Sequence, residues 1–188
     1  MSWLPNLLTL VRFPLAPWVA VSILGGAHLE ALLLLAVAGI TDGLDGWAAR
    51  RLGATSRLGA CLDPVADKAL LVTVYISLGV AGLIPAWLVW MVVGRDVLIL
   101  AFAGAALAIR KSRRFEPSVW GKLSTLVQIV TGVAVIAARA FPSAGLAWWA
   151  EALPVAAAIT TAWSGLHYAW LAFSRQDPAG GRDNVPGD

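Results

Sequence analysis

The sequence predicts an all-α integral membrane protein of six transmembrane helices, with both termini on the cytoplasmic side. Three observations predict it. Hydrophobic residues make up 59% of the 188-residue chain and charged residues 13%, against roughly 45–50% apolar residues in a soluble domain. Six apolar stretches, each near the ~20 residues that cross a bilayer core, fall at about 6–25, 30–50, 59–80, 84–109, 119–138 and 146–173. Alternate connections are basic, and such loops stay on the cytoplasmic side.

The first span ends at Gly25-Gly26, and the connection around His28 and Glu30 leads to the second, which ends near Gly53. Arg50, Arg51 and Arg57 flank that second connection and mark it as cytoplasmic. The third span stops before Gly82 and Pro85, a pair that breaks a helix. The fourth runs into Arg110, Lys111, Arg113 and Arg114, a second cytoplasmic loop. Glu116 and Pro117 start the fifth, and Pro142 with Gly145 separates it from the sixth. Arg139 is the single Lys or Arg in the connections assigned to the far side. Residues 1–173 form one transmembrane domain, and 174–188, SRQDPAGGRDNVPGD, are expected to be a disordered cytoplasmic tail because they are polar and rich in Gly and Pro. Trp3, Trp87, Trp90, Trp148, Trp149 and Trp170, with His28 and His167, suit the membrane interface. Cys61, the single cysteine, cannot form an internal disulfide. The net charge of +3 is modest, with no phosphate-binding glycine loop, zinc spacing or nucleic-acid signature. MSWLPNLLTLVRFPLAPW lacks the basic start and cleavage site of a secretory signal, so it reads as retained.

Four aspartates stand out in these apolar surroundings. At about 100° per residue, Asp42, Asp45, Gly46, Ala49 and Arg50 share one face of the second helix, while Gly59, Asp63 and Asp67 form a stripe on the third. The basic turn between them makes the two helices antiparallel neighbours whose stripes can face each other. Caps or ion pairs with Arg50, Arg57 or Lys68 would account for a lone aspartate; four in two registered pairs point to a ligand. Carboxylates in or near a bilayer need compensation. Hard divalent cations bound through oxygen supply it, Mg²⁺ or Mn²⁺ being preferred where phosphate is also a ligand. Gly46 and Ala49 leave room beside the carboxylates, and Arg50 offers a planar fork suited to phosphate.

The run Asp42-x-x-Asp45-Gly46-x-x-Ala49-Arg50, followed after eight residues by Gly59-x-x-x-Asp63-x-x-x-Asp67, resembles the complete signature of the CDP-alcohol phosphotransferase (CDP-alcohol phosphatidyltransferase) family. That resemblance implies transfer of a phosphatidyl group from CDP-diacylglycerol to an alcohol, with release of CMP. It implies two divalent ions on Asp42, Asp45, Asp63 and Asp67, with Asp67 as general base, and Gly46, Ala49, Arg50 and Gly59 lining the CMP moiety. Homodimers are common in the family. The pattern Asn6-x-x-Thr9-x-x-Arg12 is expected to border the site, although a cap and a snorkelling arginine explain it equally well.

The acceptor is read from two further cations. An arginine halfway along a span is costly, so Arg95 should face the polar cavity, and with Lys122 it suggests an anion site for a phosphorylated acceptor. VVGRDVLIL (92–100) and FEPSVWGKLSTLVQIV (115–130) resemble the cardiolipin synthase branch, which uses phosphatidylglycerol. Phosphatidylglycerophosphate synthases, which use glycerol 3-phosphate, are close relatives that usually carry Glu where this chain has Asp96. Gly104, Ala105 and Ala106 could open a second lateral path for a lipid acceptor. A divalent cation transporter, the alternative of another class, would favour charges near mid-membrane and a repeat relating the two halves, and neither is evident. The expected setting is the bacterial inner (plasma) membrane, with the active site towards the cytoplasm.

Overall fold

The computed structural model describes residues 4–52, 57–108 and 119–174, and side chains within them at 14–44, 67–101, 119–168 and 170. Six α-helices account for nearly all of these: α1 Leu4–Leu24, α2 His28–Leu52, α3 Arg57–Val80, α4 Ala86–Ala108, α5 Val119–Ala140 and α6 Ala144–Ser174. The expected stretches and the observed helices agree to within two residues at nearly every described end.

Glycine ends two of the helices for a geometric reason. At the close of α1, Gly26 adopts φ 76° while Ala27 N–H donates to Ser22 O at 2.8 Å. At the close of α3, Gly82 adopts φ 68° while Leu83 N–H donates to Leu78 O at 2.9 Å. Both are left-handed caps that a Cβ would strain, and they satisfy carbonyls otherwise orphaned at the helix end. Pro85, unable to continue a helix, then precedes the start of α4.

The helices pack as a ring in the order α1, α3, α4, α6, α5, α2 and back to α1, with α3 also touching α5 across it. Neighbours in the ring are therefore not always neighbours in sequence. In the described portions α1 packs against both α2 and α3, whereas the expected direct facing of the two aspartate stripes falls at residues 45–66, whose side chains lie outside the described residues. The apolar core is built from Val19 and Ile23 of α1, Leu71, Val74, Tyr75 and Leu78 of α3, Leu88 and Val92 of α4, and Val135, Ile136 and Ala157 of α5 and α6.

Polarity is arranged differently between α5 and α6. Ser124, Gln128, Thr131, Thr161 and Ser164 are buried, while Leu126, Ile129, Val130, Ile159, Trp163 and Leu166 of the same two helices are exposed. Gln128 Nε2 donates to Thr161 Oγ1 at 2.8 Å, Tyr75 Oη donates to Gln128 O at 3.0 Å, and Thr131 Oγ1 reaches Leu153 O at 3.2 Å. Hydrogen bonds inside and apolar side chains outside is the arrangement that lipid favours, because hydrocarbon cannot satisfy a polar group. Among the described residues one helix, Val119–Ala140, is long and apolar enough by itself to cross a membrane. Trp87, Trp90, Trp148, Trp149 and Trp170 are all exposed, and His167 stacks on Trp170 at 6.2 Å. Trp3, the arginine-rich connection at 110–114 and the tail from 175 lie outside the described residues, as do the side chains of Cys61, Ala105 and Ala106 and the surroundings of Gly104.

Candidate active site

Helical geometry relates the aspartates to the core. On α3, Asp67 lies on the same face as Leu71, Val74 and Leu78, which are buried, yet Asp67 is itself exposed. On α2, Asp42 shares its face with buried Ala31 and Ala38 and is likewise exposed. Two inward-facing stripes thus change from apolar to acidic, and from buried to accessible, towards one end of the bundle. That end holds the C-terminal part of α2 and the N-terminal part of α3, where sequence spacing places Asp45, Gly46, Ala49, Arg50, Gly59 and Asp63. The side chains of those six residues lie outside the described residues, as do those of Asn6, Thr9 and Arg12. With Asp45 and Asp63 so placed, no three His, Cys, Asp or Glu side chains are grouped among the described residues. The two described aspartates, Asp42 and Asp67, offer carboxylate oxygens reachable from solvent, a donor type that suits a hard divalent cation.

One residue beyond Asp67 begins a charged network that sequence spacing did not reveal. Lys68 Nζ donates to both carboxylate oxygens of Asp96 at 2.9 Å. Arg95 Nη1 donates to Asp96 Oδ1 at 2.7 Å, and its Nη2 donates to Ser164 Oγ at 2.9 Å and to Gly121 O at 3.3 Å. The network ties α3 to α4, α5 and α6. Asp96 and Arg95 are 3% and 6% exposed, and Lys68 is 29% exposed. Buried ions require such partners, since removing an ion from water costs several kcal/mol. Gly121 permits the close approach: a Cβ there would lie 2.9 Å from Tyr168 Oη and 3.3 Å from Arg95 Nη2.

Arg95 and Lys122, expected to share an acceptor phosphate, have different surroundings. Both terminal nitrogens of Arg95 are engaged by protein oxygens, whereas Lys122 is exposed. The buried face of α5 runs through Gly121, Ser124, Gln128 and Val135, and Lys122 projects about 120° away from it. The structure joins Arg95 instead, through Asp96, to Lys68, for which the sequence suggests only an ion pair with the aspartates. The signal available was the adjacency of Arg95 and Asp96, a cation carrying its own counterion.

The described residues thus form an all-helical bundle with an apolar core, a buried polar seam between α5 and α6 whose outer faces are apolar, and accessible Asp42 and Asp67 towards one end. The sequence matches the CDP-alcohol phosphatidyltransferase family over residues 2–163, and the chain belongs to that family, which is membrane-associated. It is 35% identical over 189 residues to a cardiolipin synthase (CMP-forming) of Rattus norvegicus, covering 88% of this chain and 61% of that protein. It is 40% identical over 147 residues to a probable cardiolipin synthase (CMP-forming) of Drosophila melanogaster, covering 68% of this chain and 45% of that protein. A CDP-diacylglycerol–glycerol-3-phosphate 3-phosphatidyltransferase of Bacillus subtilis is 31% identical over 173 residues, covering 78% of this chain and 86% of that protein. The chain therefore spans less than two thirds of the rat and fly relatives.

Proposed function

We propose that the protein transfers a phosphatidyl group from CDP-diacylglycerol to phosphatidylglycerol, forming cardiolipin and releasing CMP. The observation that carries this reading is the pair of inward stripes ending in accessible Asp42 and Asp67, in a chain that belongs to the CDP-alcohol phosphatidyltransferase family. The similarity to cardiolipin synthases of rat and fly supports phosphatidylglycerol as acceptor. The similarity to the Bacillus enzyme keeps glycerol 3-phosphate as the second reading.

In this proposal all six helices cross the membrane, and exposed apolar side chains such as Val21, Leu33, Ile76, Leu98, Val130 and Leu166 face lipid. In a bacterial inner membrane the basic connections put the aspartates on the cytoplasmic side. Asp42, Asp45, Asp63 and Asp67 hold two Mg²⁺ or Mn²⁺ ions. Bound there, such ions would neutralise the donor pyrophosphate and the departing CMP. Arg50 grips the donor phosphates with its planar fork, and Gly46, Ala49 and Gly59 leave space for the CMP moiety. The acceptor hydroxyl oxygen bonds to the phosphorus of the phosphatidyl group, the bond from that phosphorus to the CMP oxygen breaks, and the hydroxyl proton passes to the Asp67 carboxylate. Residues Asn6, Thr9 and Arg12 border this site. A homodimer accords with the family resemblance.

The test supplies the purified protein with CDP-diacylglycerol and both acceptors together and identifies the lipid product. Cardiolipin supports the proposal. Phosphatidylglycerophosphate alone would move the assignment to glycerol 3-phosphate and leave the transfer chemistry standing.

A further inference from the structure

Asp96 carries more cation than a fastening role requires. A buried carboxylate placed only to hold α3 against α4 needs one cationic partner, and Asp96 has two, Lys68 at 2.9 Å and Arg95 at 2.7 Å. Two cations and one anion leave the group with one net positive charge. Arg95 uses its terminal nitrogens on Asp96, Ser164 and Gly121 and is 6% exposed, so it cannot turn towards a ligand without breaking bonds inside the protein. Lys68 is different. It spends two ammonium protons on the two oxygens of Asp96, retains a third, and is 29% exposed. It also follows Asp67 directly on α3, at the open end of the inward stripe.

We propose that Lys68, oriented by the buried carboxylate of Asp96, is the cation that receives the phosphate of the acceptor, and that Asp96 is a positioning residue for the reaction. The proposal rests on the transferase reading above, and deepens it by naming the acceptor contact. Both candidate acceptors carry their reactive hydroxyl on a glycerol unit whose other end bears the phosphate. A hydroxyl at Asp67 and a phosphate at Lys68 would lie only a few bonds apart along that glycerol unit, and the two residues follow one another on α3, the first exposed and the second partly so. Two hydrogen bonds to one carboxylate fix the ammonium before the acceptor arrives, so little side-chain freedom is lost on binding. Arg95 supplies the extra positive charge without touching the ligand. Gly121, by lacking a Cβ, lets its guanidinium lie against α5.

The experiment measures initial rates with wild-type protein reconstituted in vesicles containing CDP-diacylglycerol, varying phosphatidylglycerol in one series and glycerol 3-phosphate in another. Lys68→Gln should raise the acceptor KM roughly tenfold or more, the equivalent of one lost charge-assisted hydrogen bond, and leave the donor KM unchanged. Lys68→Arg should recover much of that loss. Asp96→Asn should raise the acceptor KM in the same direction, and Asp96→Glu should raise it less. A Lys68→Gln enzyme that shows only a lower thermal midpoint and a lower kcat, with both KM values as in wild type, would reduce the network to a structural clamp and overturn the proposal. A rise in donor and acceptor KM alike would overturn it too. Should Asp96→Asn fail to fold, the two Lys68 variants decide, because that side chain is partly exposed. A wild-type protein that releases no CMP with either acceptor would instead remove the transferase reading on which the proposal stands.

Discussion

Replacing Gly79 by alanine puts a methyl carbon 2.6 Å from Val89 Cγ2 and 3.7 Å from Val89 Cβ. Carbon atoms rest about 3.5–4.0 Å apart, so α3 and α4 must separate by roughly 1 Å at this point or Val89 must rotate. Rotation is costly because a β-branched side chain in a helix has one strongly preferred χ1. Overpacking of this kind costs about 1–3 kcal/mol, partly offset by the ~1 kcal/mol that alanine gains over glycine inside a helix. The net loss is about 0–2 kcal/mol, and each 1 kcal/mol moves the melting point of a chain this size by roughly 2–4 °C. The decisive quantity is the coupling. Val89→Ala alone removes packing and should destabilise, yet in the Gly79→Ala background it removes the clash, giving a coupling energy of about 1–3 kcal/mol in a double-mutant cycle. Thermal unfolding of the purified protein, followed by the fluorescence of its ten tryptophans, reads all four corners. Additive effects of the two substitutions would refute the close α3–α4 approach.

Activity should vanish in excess chelator and in Asp42→Asn and Asp63→Asn, because the carboxylates are proposed to hold the cations; full turnover under either condition would rule out the metal sites. Asp67→Asn should lose turnover while still binding donor, measured by nucleotide binding alongside rate, and near-normal turnover would remove its assignment as base. Arg50→Lys keeps the charge but loses the two-pronged geometry, so the donor KM should rise; a donor KM and kcat equal to wild type would show that the fork is not used.

The helices were legible because their causes are local. Gly26 and Gly82 stop α1 and α3 through their own backbone conformation, and long apolar runs between such stops leave little choice of structure. That Asp42 shares a face with Ala38, and Asp67 with Leu71 and Val74, follows from the same local geometry, since residues three and four apart share a helix face whatever surrounds them; the side chains of the other stripe members lie outside the described residues. What surrounds a face is set by the ring order, which brings α4 against α6 and α2 against α5. No periodicity encodes that order. Arg95 illustrates the consequence: its partners lie 1, 26 and 69 positions away, and only the first is visible to a reader of neighbours. Lys122 shows the complementary limit, because a cation one residue from buried Gly121 is turned outward by the rotation of α5, which sequence does not fix.

The central claim is that this chain moves a phosphatidyl group from CDP-diacylglycerol to an alcohol. Release of CMP from CDP-diacylglycerol by the purified, reconstituted protein, followed with Mg²⁺ or Mn²⁺ present and with acceptor either supplied or withheld, tests it most directly. The account predicts CMP release that needs both a divalent cation and an added acceptor, matched by one phospholipid product formed for each CMP. No CMP with phosphatidylglycerol or glycerol 3-phosphate in the presence of either metal would contradict it, as would CMP release that proceeds unchanged without any acceptor.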